Sequence, residues 1–229
     1  MRVLRAGVLI GLIFATLSPA AAGAALGDIG VEGPSYAGAS SSPTGEKPES
    51  KAWFNDGLWW ASLWDTASSR YEIFRFSVAS GTWTSTNVPL DTRSNSRADT
   101  LWDGSKLYVA SHVFSATPAT GYPSNLYRFS YSAATGYTLD VQDGWPQQIN
   151  TYRSESLVID KDSTGQLWAT WVQGASGSRE VWVNRTISGD STWGTPFKLP
   201  GNGTSVADDD ISSVVAFGGD KIGVFWSNQ

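Results

Sequence analysis

Beyond residue 50 the chain alternates apolar and polar positions in short runs. The stretches "AWFNDGLWWASLW", "TLWDGSKLYVASHVF", "LVIDKDSTGQLWATWV" and "VVAFGGDKIGVFW" each hold two apolar runs split by a tight turn rich in Asp and Gly. That pattern predicts β-hairpins, because alternate side chains of a strand share one face and Asp/Gly turns supply the backbone that hairpins need. A second kind of run follows each of the first three: "YEIFRFSVASGTW", "SNLYRFSYSAATGY" and "REVWVNRTISGDSTW". Each is an aromatic strand, a small-residue turn with a glycine, and an aromatic residue that opens another strand. No stretch after the N-terminal segment keeps helical i, i+3, i+4 spacing over three turns.

These units recur. Gly81, Gly136 and Gly189 stand 55 and 53 residues apart, and the hairpin exits Leu58, Leu107, Leu167 and Ile222 stand 49, 60 and 55 apart. Four strands in about fifty residues is the period of a β-propeller blade. A sandwich of short strands shares the local patterns and is the rival architecture. The expected fold is therefore all-β, a propeller of four-stranded blades over residues 46–229. Its blades would span 46–91, 93–150, 151–201 and, as a partial blade, 204–229. A ring needs at least about four blades. About three and a half leave it incomplete, to be closed by a further propeller segment or by an oligomer.

The N-terminus changes the picture of where the protein works. Arg2 and Arg5 precede an apolar run from Val8 to Leu17 and then small residues, the layout of a secretory signal peptide over residues 1–25 with cleavage between Ala22 and Ala25. Membrane attachment would require that segment to stay uncleaved. Loss of both arginines takes the net charge from −5 to −7. Residues 26–45, rich in Gly, Ser and Pro, are expected to form a flexible leader. The absence of cysteine excludes disulfides, thiol catalysis and cysteine zinc sites, so an exported domain must rely on its core. Twelve Trp, nine Phe and eight Tyr supply that core. Without a Lys/Arg run there is no electrostatic footprint for nucleic acid.

Asp162, Gly165 and Trp168 in "DKDSTGQLWATW" give the chain a resemblance to the secreted bacterial propellers of the sialidase-like superfamily, and "FRFSVASGTWT" resembles a Kelch repeat. The first resemblance implies a glycoside hydrolase built on Arg, Asp/Glu and Tyr at the channel mouth. In propellers, ligands meet the channel near the start of each innermost strand. The residues expected there are Glu49, Arg93, Arg97, Asp99, Tyr152, Arg153, Glu155, Asp208, Asp209 and Asp210. Such types can hold a sugar acid and transfer protons, and they also form plain ion pairs.

No cofactor is expected. Calcium at Asp208-Asp209-Asp210 is the one alternative, set against a solvated acidic loop, since consecutive side chains of an extended chain point to opposite sides. "DKDSTG" reads as a hairpin turn. His112, the only histidine, sits among apolar neighbours and reads as packed and hydrogen-bonded. Trp59 and Trp60 point to opposite faces, and both are expected to pack between blades. Two functions follow: recognition of extracellular glycan or protein without catalysis, and sialidase-type hydrolysis.

Overall fold

A computed structural model describes residues 30–40, 42, 44, 45 and 47–229. The expected signal segment lies outside the described residues. Two compact units divide the chain at Val31, and everything below concerns the second, Glu32–Gln229.

Among the described residues the secondary structure is entirely strand, in antiparallel sheets that follow chain order. The first sheet is a meander of β1 (Ala52–Asn55), β2 (Leu58–Asp65), β3 (Arg70–Ser77) and β4 (Thr82–Asp91). The second runs β5 (Ser96–Trp102), β6 (Lys106–Val113), β7 (Ala119–Ser132) and β8 (Gly136–Leu139), with β9 (Gln147–Arg153) also on the edge of β7. In the third, β10 (Leu157–Lys161), β11 (Leu167–Ala175), β12 (Ser178–Ser188) and β13 (Thr192–Trp193) lie in order. The short β14 (Phe197–Lys198) and β15 (Ser205–Val206) pair further along β12. The fourth sheet holds only β16 (Ser212–Phe217) and β17 (Lys221–Trp226).

The turns explain the hairpins. Between β1 and β2, Asp56 and Gly57 both take positive φ, 53° and 73°, the pair of values a two-residue type I′ turn requires. In the β10–β11 turn Asp162 accepts the N–H groups of Thr164 and Gln166, and the Trp168 indole N–H. The Asp-Gly-Trp trio is thus one turn capped by its own carboxylate.

The first strands lie side by side, with β5 between β1 and β10, and β10 next to β16. Successive sheets stack through apolar faces. Trp53, Trp60, Tyr71 and Ile73 of the first meet Leu107, Val109, Phe129 and Tyr137 of the second. Tyr108, Ala110 and Leu126 on the other face of the second meet Leu157, Ile159, Leu167, Ala169 and Trp171 of the third. Val172, Val181 and Val206 then meet Val224 and Trp226 of the fourth. Each large side chain so buried contributes on the order of 1.5–3 kcal/mol, so these layers dominate the folding free energy.

Three expectations change. The boundary at Thr151 falls inside β9, which pairs with β7, because the long β7 reaches past β8 and needs a second partner. The leader is held in part: Trp64 donates its indole N–H to Ala37 O at 3.1 Å, and Ser40 N–H bonds Ser94 O at 2.9 Å. Of the tryptophan pair, Trp60 is buried between sheets, whereas Trp59 is 48% exposed and leans on Phe54.

Candidate functional site

The polar residues that precede and open the first strands converge on one buried cluster. Glu49 and Lys51 lead into β1, two residues apart and therefore on one side of the extended chain. Arg97 and Asp99 hold the same relation on β5, and His112 on β6 lies opposite Arg97 in the strand pairing.

Glu49 Oε1 accepts from His112 Nε2 at 2.9 Å and from the Leu157 N–H at 3.2 Å, while Lys51 Nζ lies 3.2 Å from Oε2. Burial pushes the Glu49 carboxyl up. His112, Lys51 and the Leu157 N–H together outweigh burial and hold it down at about 2. Lys51 also donates to Ala98 O at 2.6 Å, and burial lowers its ammonium below the usual lysine range against the pull of Glu49 and Asp99. Asp99 accepts the Ser50 N–H at 2.5 Å and the Ile159 N–H at 2.8 Å. Its complete burial nevertheless pushes the carboxyl up to about 7, with the Glu49 charge adding to the rise and the two N–H groups and Lys51 opposing it.

One carboxylate therefore ties three sheets together. Asp99 stands on the second sheet and receives backbone donors from the approach to the first and from β10 of the third. Glu49 repeats the device from the first sheet to the third. Asp160 on β10 repeats it once more, accepting the Ala216 N–H of β16 at 2.7 Å. First strands carry an unpaired backbone edge, and these side chains satisfy part of it.

The remaining candidates lie elsewhere. Glu155, just before β10, pairs with Lys47 at 2.8 Å. Arg93 is held on Asp91 through Nε and Nη2, and also donates to Pro123 O. Tyr152 and Arg153 stand on β9 at the edge of the second sheet, not at the head of the third. Tyr152 Oη lies 3.2 Å from Gly174 O, and Arg153 stacks on the Tyr122 ring and donates to Thr117 O.

The three aspartates do not converge and do not form a uniformly solvated loop. Asp208 binds Ser176, the Gly177 N–H and Arg179, which hold its carboxyl well below the usual range. Asp209 is exposed, and Asp210 is buried and accepts the Ala207 N–H at 2.6 Å. The alternation along the loop sends each carboxylate to a different partner.

Glu49 and Asp99 have the separated titrations of an acid–base pair. Both are closed off by backbone donors, and neither lines a described cleft of the molecule. Arg97 is 3% exposed, stacks 3.6 Å above the Phe114 ring, and leaves Nε and Nη1 without a hydrogen-bond partner among the described residues. A cleft of about 600 Å³ is lined by Glu32, Pro34, Tyr36, Thr44, Leu63 and Trp64. None of the ten candidates lines it.

Lys47, Lys51 and Asp160 were not among the residues expected from sequence. Lys51 was within reach, because it shares a strand face with Glu49. Asp160 carried no such signal, since its partner is a backbone N–H 56 residues away. No protein-family model and no curated protein matches the chain.

Proposed function

We propose that this chain is an exported β-propeller module that recognises glycan or protein outside the cell without catalysis. The propeller reading is supported by successive four-stranded meanders whose first strands neighbour one another in chain order. Export rests on the signal-like N-terminus. The observation that carries the non-catalytic reading is the fate of the charged candidates. Glu49, Asp99, Arg93, Glu155 and Asp208 are bound by other parts of the same chain, most of them across sheet boundaries. A catalytic acid or base needs a free path to its substrate.

Recognition has a better place in the 600 Å³ cleft. There the exposed Tyr36 ring offers a stacking face and Glu32 and Thr44 offer polar groups, the mix that small-ligand clefts use. Sialidase-type hydrolysis is the second reading, favoured by the two unpartnered nitrogens of Arg97 beside a carboxylate pair.

One experiment separates them. The secreted protein is offered a glycan panel for binding, and fluorogenic sialosides and other glycosides for turnover. Retention of one glycan class, weakened about tenfold or more by Tyr36→Ala, with no turnover, is the expected result. Turnover of any of these glycosides would overturn the non-catalytic reading, and its disappearance in Arg97→Ala would assign it to the buried cluster.

A further inference from the structure

An arginine stands opposite an aromatic residue at the same place in each of the first three sheets. The strand pairings set Trp60 beside Arg75, Tyr108 beside Arg128 and Trp168 beside Arg185. On the first two sheets this row lies on the face turned toward the following sheet. Arg75 and Arg128 also share their local sequence, Arg-Phe-Ser. The two arginines hold equivalent positions, and their surroundings differ.

At the boundary between the second and third sheets the Arg128 guanidinium is held by two carboxylates. Its Nε donates to Asp140 at 2.6 Å, and its Nη1 donates to the two oxygens of Asp190 at 3.1 and 3.0 Å. The Tyr108 hydroxyl donates to the same Asp190 at 2.6 Å. Asp140 comes from the edge of the second sheet itself, where its backbone N–H bonds Arg128 O. Asp190 comes from the β12–β13 turn of the third sheet.

At the boundary between the first and second sheets both carboxylates are replaced. The edge-strand residue beside Arg75 is Thr84. The turn of the following sheet is β7–β8, whose Ser132–Gly136 pairing matches the Ser188–Thr192 pairing around the β12–β13 turn. Ala134 therefore stands where Asp190 stands. In place of the acid there is a cleft of about 380 Å³, lined by Asp56, Trp60, Arg75, Thr84, Tyr131 and Ala134. Arg75 is exposed there, with no hydrogen-bond or ion-pair partner among the described residues. Asp56 accepts the Tyr131 hydroxyl at 2.6 Å on the same cleft.

We infer that this cleft binds a hydroxylated carboxylate of the size of a sugar acid, whose carboxylate takes the place on Arg75 that Asp190 takes on Arg128. A guanidinium offers paired donors that fit a carboxylate, so the group missing from the chain is the group a ligand supplies. Ligand hydroxyls find an acceptor in Asp56 and a partner in Thr84, and the half-buried Tyr131 ring offers an apolar face. The volume lies near the lower end of small-ligand pockets, about 300 Å³, which suits a single ring. The inference rests on the unequal boundaries and not on the reading of the 600 Å³ cleft.

The test is calorimetric titration of the full 229-residue chain with glucuronate, with glucose as its uncharged counterpart and with acetate as a bare carboxylate. Two variants accompany the wild type, Arg75→Met and Ala134→Asp. Both side chains are exposed, so neither substitution opens the core. Glucuronate is expected to bind the wild type about tenfold or more tightly than glucose or acetate. Arg75→Met should weaken that binding about 10–100-fold, the loss of a charge-assisted pair. Ala134→Asp should abolish it by the opposite route, supplying the internal carboxylate, and should melt at a higher temperature than the double variant that also carries Arg75→Met. A wild type that does not bind glucuronate overturns the proposal, as does binding that survives either substitution. Glucose or acetate bound as tightly as glucuronate overturns the ligand class. An Ala134→Asp chain no more stable than the double variant overturns the equivalence of the two boundaries.

Discussion

At Asp99 and Glu49 burial acts on two carboxyls of one buried cluster and gives opposite results. Asp99 is pushed up to about 7 and Glu49 held at about 2. The difference lies in the partners, since Glu49 has a histidine and a lysine on its oxygens and Asp99 has only backbone donors. Between about pH 4, where an unfolded Asp loses its proton, and pH 7, the native Asp99 holds a proton that the unfolded chain has released. Its contribution to stability is therefore full below that window and lost as pH rises through it. Glu49 runs the other way: its contribution is present above about pH 4 and lost as pH falls toward 2. Urea unfolding followed from pH 4 to pH 8 should show stability declining between pH 5 and pH 7. In Asp99→Asn that decline should flatten, with a loss of about 1–3 kcal/mol at pH 5, because an amide NH2 cannot accept the N–H that a carboxyl hydroxyl oxygen still accepts. A wild-type stability flat from pH 5 to pH 7 would refute the assignment.

At the scale of the hairpin the sequence was most readable. The turn exits taken from sequence, Leu58, Leu107, Leu167 and Ile222, fall at or within one residue of the starts of β2, β6, β11 and β17. A tight turn is set by a few adjacent residues, so its signal is local. What escaped was non-local: the second pairing of β7 with β9, and the joint at Asp99, whose backbone donors come from residues 49 and 60 positions away. Trp59 was misjudged for the same reason, since alternation fixes its face of the strand and says nothing of what covers that face. Gly174 offers a test of one local constraint. It sits at φ 139° near the β11–β12 turn, where an added Cβ would clash with Ser178 O and lie 3.0 Å from Arg179 Cα. Both obstacles are backbone and cannot swing aside. Gly174→Ala should cost about 1–3 kcal/mol by denaturant unfolding. A loss no larger than a few tenths would mean that the hairpin relaxes freely.

Over the whole molecule, the sheets follow one another and each is braced mainly by its neighbours, an arrangement in which stability varies along the stack. Among the described residues, the second and third sheets are covered on both faces, whereas the fourth has two strands and one covered face. Amides of β16 and β17 should exchange fastest among the strand residues, by local opening. Asp160 is the lever on that opening, because it accepts the Ala216 N–H across the boundary between third and fourth sheets. Asp160→Ala leaves that donor without its acceptor, a loss of about 1–3 kcal/mol that corresponds to roughly 5–150-fold faster exchange. The acceleration should be confined to β16 and β17, while amides at Leu107, Leu126 and Leu167, all fully buried, keep their rates. Equal acceleration throughout would mean that the four sheets open as one cooperative unit, and that the last sheet has no separate equilibrium for a binding partner to shift. Confined acceleration would place the least stable element of the fold in the fourth sheet, where any ligand bound to the folded state has the most local stability to add.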